Sequence, residues 1–308
     1  MNSLASALDY FGAELSRLRE SAPPDEHRGP ASLSVHAHQG CIRARATSCA
    51  ECVDGYTWVT NEDGYNVTRQ CRCGRLLGLA RRINAAKMPA DHIGSVLNNA
   101  DASAARVPFD PTRSEQAAEA LAASYRFIER VRDFDPDAQR APLETVKPPG
   151  LFLGGGAGRG KTHLIVGICR ALLSRGFHVE YRSWVDWSRE LWGAMNARRD
   201  ARERNTHSGV TNPDDDLRRA ALVPILALDE LGANLTAHHG GAAIERGWIE
   251  SVLKMRHEAG LPLLLASNFH LADGKPGSLQ VDETIVSRIA GRCDVVTMGG
   301  EDQRRCGK

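Results

Sequence analysis

Gly155-Gly156-Ala157-Gly158-Arg159-Gly160-Lys161-Thr162 has the spacing G-x-x-x-x-G-K-[ST], set between the apolar run Leu151-Phe152-Leu153 and a helix-like stretch that continues to Leu173. A strand, a glycine-rich turn and a helix in that order make a phosphate-binding loop. The glycines let successive backbone N–H groups turn inward, Lys161 reaches the β/γ-phosphates, and the Thr162 hydroxyl ligates Mg²⁺ at a helix N-terminus. Gly155, Gly158, Gly160, Lys161 and Thr162 are the expected contacts to nucleotide.

Downstream, Val223-Pro224-Ile225-Leu226-Ala227-Leu228 is a short apolar run suited to a strand buried on both faces of a parallel sheet, and it ends in Asp229-Glu230. This is the form of a Walker B strand. Asp229 is expected to hold Mg²⁺ through water. Glu230 is expected to orient and deprotonate the attacking water, because in-line attack on a γ-phosphate needs a polarised nucleophile beside the metal.

At 308 residues the chain fits one large domain plus an appendage. Lys and Arg exceed Asp and Glu by one, 39 against 38, so any nucleic-acid surface must be a local patch. Asp9 and Glu14 stand where a secretory signal would be apolar, and no apolar stretch approaches membrane-spanning length. A soluble, cytoplasmic protein with no membrane partner is expected. In that reducing compartment the eight cysteines are poor disulfide candidates, and clustered ones point to metal.

Cys49-Ala50-Glu51-Cys52 and Cys71-Arg72-Cys73 are two close pairs around a predicted β-hairpin, with strands Tyr56 to Thr60 and Tyr65 to Thr68 about a turn at Asn61-Glu62-Asp63-Gly64. The hairpin brings the pairs together, and four thiolates suit a structural Zn²⁺ with no open position. Cys41, His36 and His38 lie near enough in sequence to replace one ligand, whereas Cys169, Cys293 and Cys306 are isolated packing or terminal residues. Leu4, Leu8, Phe11, Leu15 and Leu18 fall on one stripe of an amphipathic N-terminal helix, which either docks on the body or binds a partner. The Pro-rich stretch from Ala22 to Pro30 detaches it. Arg69, Arg72, Arg75, Arg81, Arg82 and Lys87 follow with no acidic residue between them, either as a solvated face or as phosphate contacts.

From Phe109 onward helix and strand alternate: a helix over Ser114 to Phe134, the phosphate loop and its helix, a strand over His178 to Tyr181, and a long polar helix from Trp184 to about Arg204. Irregular, disordered-looking chain is expected from Asn205 to Asp216, then the Walker B strand, a helix near Ile244 to Ala259 and a strand over Pro262 to Ala266. Such alternation gives an α/β fold, a parallel sheet flanked by helices. The expected organisation is an amphipathic helix and linker (1–40), a zinc-binding β-hairpin module (41–82), a linker (83–110) and an ATPase domain (111–308).

Gly155 to Leu164 with its Gly-Lys-Thr-His-Leu ending, Leu228-Asp229-Glu230-Leu231-Gly232-Ala233, Ala266-Ser267-Asn268, Ser287-Arg288-Ile289 and Gly300-Glu301-Asp302-Gln303-Arg304 occur in the order found in AAA+ ATPases of the DnaC/DnaI/IstB group. The chain resembles that group over roughly residues 76–308, and the cysteine module followed by an Arg-rich stretch is similar to that of phage-like replicative helicase loaders. The resemblance implies an AAA+ P-loop NTPase that hydrolyses ATP with Mg²⁺, and it adds His163 to the nucleotide-binding residues. It further implies Asn268 as the sensor residue at the γ-phosphate or attacking water, and Arg288 as an arginine finger reaching a neighbouring subunit's nucleotide. Arg292 is a rival finger, and Arg304 takes the place of a second sensor by position. The implied function is ATP-dependent loading of the replicative DNA helicase, with helicase, single-stranded DNA and self-association as partners. A transposition helper ATPase of the IstB kind and a non-catalytic nucleotide-gated adaptor are the alternatives. Arg198, Arg199, Arg202 and Arg204 on the long helix match the place where loaders touch single-stranded DNA, and an ordinary solvated helix has the same charge pattern. The loop departs from the group in Gly155-Gly156-Ala157 and Arg159, where prolines and a threonine are usual.

Overall fold

The structure, a computed structural model, describes residues 32–47, 49, 52–53, 55–97, 107–132, 149–204, 212–233, 235, 241–271, 279, 281–300 and 302. The expected N-terminal amphipathic helix and Arg304 lie outside them.

Five parallel strands form the central sheet: β7 (Gly150–Gly154), β8 (Val179–Ser183), β9 (Ile225–Asp229), β10 (Leu263–Ser267) and β11 (Asp294–Thr297), in the spatial order β11-β7-β10-β9-β8. Every residue of β7, β9 and β10 is buried, as continuous apolar runs require when helices cover both faces. Alternate side chains serve the two faces. Leu151, Leu153, Ala227, Leu264 and Ala266 pack with α2 (Glu115–Arg132) and α3 (Lys161–Ser174), whereas Phe152, Leu226, Leu228, Leu263 and Leu265 pack against the opposite layer. That layer contains α4 (Trp184–Glu203), α5 (Pro213–Ala221), α6 (Ala242–Glu258) and α7 (Glu283–Arg292). Each fully buried Leu or Phe contributes roughly 1.5–3 kcal/mol, so these two layers supply most of the apolar stabilisation.

Two elements of the sheet domain differ from expectation. α5 begins inside the stretch read as irregular: the Asn212 side chain caps it by accepting from the Asp214 N–H, Pro213 opens it, and Asp214, Asp215 and Asp216 occupy its first turn. Its nine residues bury Pro213, Leu217, Ala220 and Ala221 at helical spacing, a short signal carried by one leucine and small residues that sequence reasoning passed over together with the end signals. β11 was not expected either. Its four residues pair with β7 directly after α7 and extend the sheet beyond the phosphate loop.

The N-terminal part holds two antiparallel hairpins. The one over Tyr56–Thr60 (β3) and Asn66–Gln70 (β4) was anticipated, with Trp58 opposite Thr68. The one over Leu33–His38 (β1) and Cys41–Ala46 (β2) was not. The arginine run folds as α1 (Arg72–Ala86). Asn84 binds both sides of the Ala44 peptide, accepting from its N–H at 2.7 Å and donating to its C=O at 2.9 Å. Arg82 donates to the Leu173 carbonyl at 3.1 Å, which ties α1 to the end of α3.

Residues 83–110, read as linker, bury Ile83, Ala86, Met88, Leu97 and Phe109 in the core that surrounds α3. Its short strands Ser95–Val96 (β5) and Val107–Pro108 (β6) pair in parallel. The apolar residues here are too widely spaced to mark an element, and they pack only once the sheet domain offers a surface. Among the described residues no helix is long and apolar enough to cross a membrane.

Candidate nucleotide site and cysteine cluster

Because the sheet is parallel, the carboxyl ends of its strands share one edge, the place where open α/β sheets bind ligands. β7 delivers the phosphate loop there, β8 delivers Ser183, β9 Asp229 and Glu230, and β10 Ser267 and Asn268. Gly155, Gly158 and Gly160 all have positive φ, at 134°, 72° and 87°, so the loop takes turns that glycine adopts without strain. Lys161 is buried at the start of α3, and its Nζ donates to the carbonyls of Gly155 and Gly156 at 2.7 Å each. Phosphate oxygens carry charge and are stronger acceptors for that same ammonium.

Asp229 is 2% exposed. Burial pushes its carboxyl pKa up, opposed by hydrogen bonds from the Thr162 side chain, the Glu230 N–H and Tyr181 and by the charge of Lys161. The Tyr181 hydroxyl donates to Oδ2 at 3.1 Å, and the Glu230 N–H donates to Oδ1 at 2.8 Å. Thr162 and Asp229 thus meet as a hydroxyl and a buried carboxylate, an oxygen-donor pair of the kind Mg²⁺ takes through a few direct or water-bridged contacts. A cation there also relieves the burial cost of the carboxylate.

Glu230 is exposed and has φ 55°, a left-handed conformation that costs a residue with a Cβ roughly 1–2 kcal/mol. The surroundings fix it. Besides the hydrogen bond to Asp229, its Oε2 accepts from the Ser183 hydroxyl at 2.7 Å, and the Leu231 N–H that follows is pinned to the Ala266 carbonyl at 2.9 Å. The turn holds a carboxylate out of the sheet edge, beside the Asp229–Thr162 pair.

Asn268 is exposed just past β10, and the next residue lies against the loop: a Cβ on Gly154 would sit 3.0 Å from the Phe269 carbonyl oxygen. His163 turns away from the loop toward β5, with Nε2 3.0 Å from the Val96 carbonyl and its ring edge-on to Phe109. Of the two arginines of α7, Arg288 pairs with Glu250 of α6 at 2.9 Å and keeps 29% of its side chain exposed. Arg292 is buried and donates to the Leu261 carbonyl ahead of β10, the edge opposite the phosphate loop. Sequence reasoning missed Tyr181 and Ser183 as partners of the two acids. Ser183 was legible as a helix cap through Ser183-x-x-Asp186, whose Asp186 N–H it accepts at 3.4 Å, but no sequence signal ties it to Glu230.

The second site is the cysteine cluster. The Sγ atoms of Cys49, Cys52, Cys71 and Cys73 all lie within 4.8 Å of one another, with Cys49 3.6 Å from Cys71 and 3.7 Å from Cys73. Tetrahedral Zn²⁺ with bonds of about 2.3 Å needs sulfurs about 3.8 Å apart, so these thiols fit the ion. Cys52 and Cys73 lie closer, at 2.8 Å, and would separate by about 1 Å to take their places around it. Two glycines allow the approach: a Cβ on Gly55 would run into the Gly74 backbone, and the Cys71 N–H donates to the Gly55 carbonyl at 2.8 Å. Cys41, His36 and His38 belong to the β1–β2 hairpin and do not join the cluster.

With β7 flanked by β10 and β11, β9 and β8 stacked outward, and the phosphate loop and both acids on one edge, the architecture is decided. The core has the AAA+ fold. The chain is similar to the crystal structure of DnaI, at 22% identity over 70% of this chain and 94% of that one, with a TM-score of 0.45. It is similar to a protein of Streptococcus pyogenes serotype M3 described as a primosome component (19%, 72% and 96%, 0.45) and to the DnaC helicase loader (16%, 68% and 99%, 0.45). No protein-family model matches the chain, and no curated protein matches it.

Proposed function

We propose that this AAA+ chain is an ATPase that loads a replicative DNA helicase, with the cysteine module as the adaptor that grips the helicase. The observation that carries the reading is the physical joint between the two sites: the cysteine cluster opens α1, and α1 is tied by Arg82 to α3, the helix that begins at Lys161. A partner held by the module therefore pulls on the element that carries the phosphate loop. The order of motifs from Gly155 to Arg304 resembles that of the DnaC/DnaI/IstB group.

In the proposed cycle the loop N–H groups and Lys161 bind the phosphates of ATP, and Thr162 and Asp229 hold Mg²⁺, which neutralises charge developing on the phosphoryl group. Glu230 accepts a proton from the attacking water. Ser183, donating to the same carboxylate, sets where that carboxylate points. Asn268 orients the water or γ-phosphate from the end of β10. Arg288, exposed enough to leave Glu250 for a neighbouring subunit, is the proposed finger, and the burial of Arg292 speaks against that rival. Cys49, Cys52, Cys71 and Cys73 hold Zn²⁺, which supplies structure only. Arg199, Arg202 and Arg204 are exposed at the end of α4 and are the proposed contacts to single-stranded DNA.

The test is co-purification of the full chain with the organism's replicative helicase, with and without ATP. Binding by wild type and its loss in Cys52→Ser are expected. Wild-type protein that hydrolyses ATP but never retains the helicase overturns the loader reading. A mixing assay tests the finger: Arg288→Ala combined with Lys161→Ala should exceed the weighted sum of the two rates, and co-assembled mixtures that never do so remove Arg288 from that role.

A further inference from the structure

A carboxylate reaches the phosphate loop from the far end of the chain. Past β11 the Met298 N–H donates to the Gly154 carbonyl at 2.7 Å, and a Cβ on Gly155 would run into the Met298 carbonyl. Gly299 then passes Gln116, and Gly300, with φ 93°, passes Ser114 at the start of α2. The chain returns to the loop at Asp302. Its Oδ1 occupies the space that a Cβ on Gly158 would take, and its Oδ2 lies 3.0 Å from that position. Gly155 and Gly158 therefore lack side chains for two reasons: their positive φ, and the strap that crosses them.

Gly158 lies in the turn whose backbone N–H groups face a bound polyphosphate. Asp302 is half-buried, so its charge is only partly screened where it meets that turn. A carboxylate and a polyphosphate within a few ångströms of each other repel. We propose that Asp302 is a built-in anionic competitor at the phosphate loop that sets how fast nucleotide leaves. The proposal rests on reading residues 155–162 as a nucleotide site. It gives the segment from Met298 to Asp302 a direct effect on nucleotide exchange.

The experiment measures release of a fluorescent ADP from the full chain, chased with excess unlabelled nucleotide, in wild type, Asp302→Asn and Asp302→Ala. Asn keeps the size and removes the charge. Melting temperatures are read on the same samples, and both variants should stay within a few degrees of wild type. Release should slow on the order of tenfold in both variants at low salt, and the difference should shrink toward unity near 1 M salt, as expected for one partly screened charge pair. Asp302→Asn releasing at the wild-type rate or faster overturns the proposal. So does slowing in Asp302→Ala alone, which points to bulk rather than charge. Lys161→Ala separates the two levels: nucleotide bound by wild type and lost in this variant supports the site, whereas a wild type that binds none overturns the site and the proposal together.

Discussion

The nucleotide edge and the cysteine module solve the same problem, holding a few polar groups in fixed positions, by opposite means. At the nucleotide edge each group is the end of a strand whose body is wholly buried, so position comes from sheet register and from the two apolar layers. Among its described residues the module has almost no apolar interior of its own. Its buried cluster is Cys49, Cys71 and Cys73, while Trp58 and Tyr65 are 72% and 71% exposed. A two-stranded hairpin is marginal in water without further support. The comparison teaches that the edge owes its stability to its core, whereas the module has no such core and would owe its stability to the metal we propose for its four sulfurs.

The sharpest way to break that contrast is to remove one sulfur. Cys71→Ser or Cys52→Ser should release about one Zn²⁺ per chain and unfold the module, because structural zinc supplies on the order of 10 kcal/mol of folding free energy in so small a unit. Hydrogen exchange should rise over residues 49–80 and stay slow over β7, β9 and β10, with metal analysis read on the same samples. Equal loosening of both regions contradicts the division.

The core is tested at Arg256, a fully buried side chain that donates to the carbonyls of Ala221, Val223, Pro224 and Pro262. Burial, then the nearby charge of Arg292, lowers its pKa to about 9, so it stays charged at neutral pH. Arg256→Met leaves these carbonyls unpaired and should cost about 3 kcal/mol in denaturant unfolding of the core, with zinc content unchanged.

Smaller effects sharpen the edge itself. Tyr181→Phe removes one hydrogen bond to Asp229, worth about 1 kcal/mol, and should raise the Mg²⁺ concentration for half-maximal ATPase severalfold without lowering the melting temperature by more than a few degrees. An unchanged Mg²⁺ dependence assigns the hydroxyl to packing alone. Asp216 on α5 makes stability depend on pH at the acid end. Burial works against its ionised form, but hydrogen bonds from Arg219 and Trp187 and the charge of Arg182 outweigh it and hold its pKa below the usual range. A depressed folded pKa means stability that is present above about pH 4 and lost as pH falls through the folded value. Asp216→Asn should flatten that acid limb by roughly 1 kcal/mol, read from melting temperature against pH.

What the sequence made legible follows the same division. That Gly155 to Thr162 and Asp229-Glu230 share one edge, and that the two cysteine pairs meet, was readable because the expected phosphate and metal sites demand fixed spacings along single segments. α5 left its caps and one short apolar stripe, β11 only four residues, and the Tyr181–Asp229 and Ser183–Glu230 contacts nothing, since these join segments 48 and 47 positions apart whose neighbourhood exists only once β8 lies beside β9. Asp302 at Gly158 belongs with these: the loop's glycines announced a phosphate and gave no sign of the strap.

The central claim, that the strand edge is a hydrolytic site with Glu230 as its base, is tested most directly by Glu230→Gln in the full chain, with bound nucleotide and turnover measured on one sample. Glutamine keeps the shape and the Ser183 contact but cannot take the proton. The account predicts ATP bound within about twofold of wild type and hydrolysis slower by roughly 100-fold or more. Hydrolysis at the wild-type rate by Glu230→Gln contradicts it.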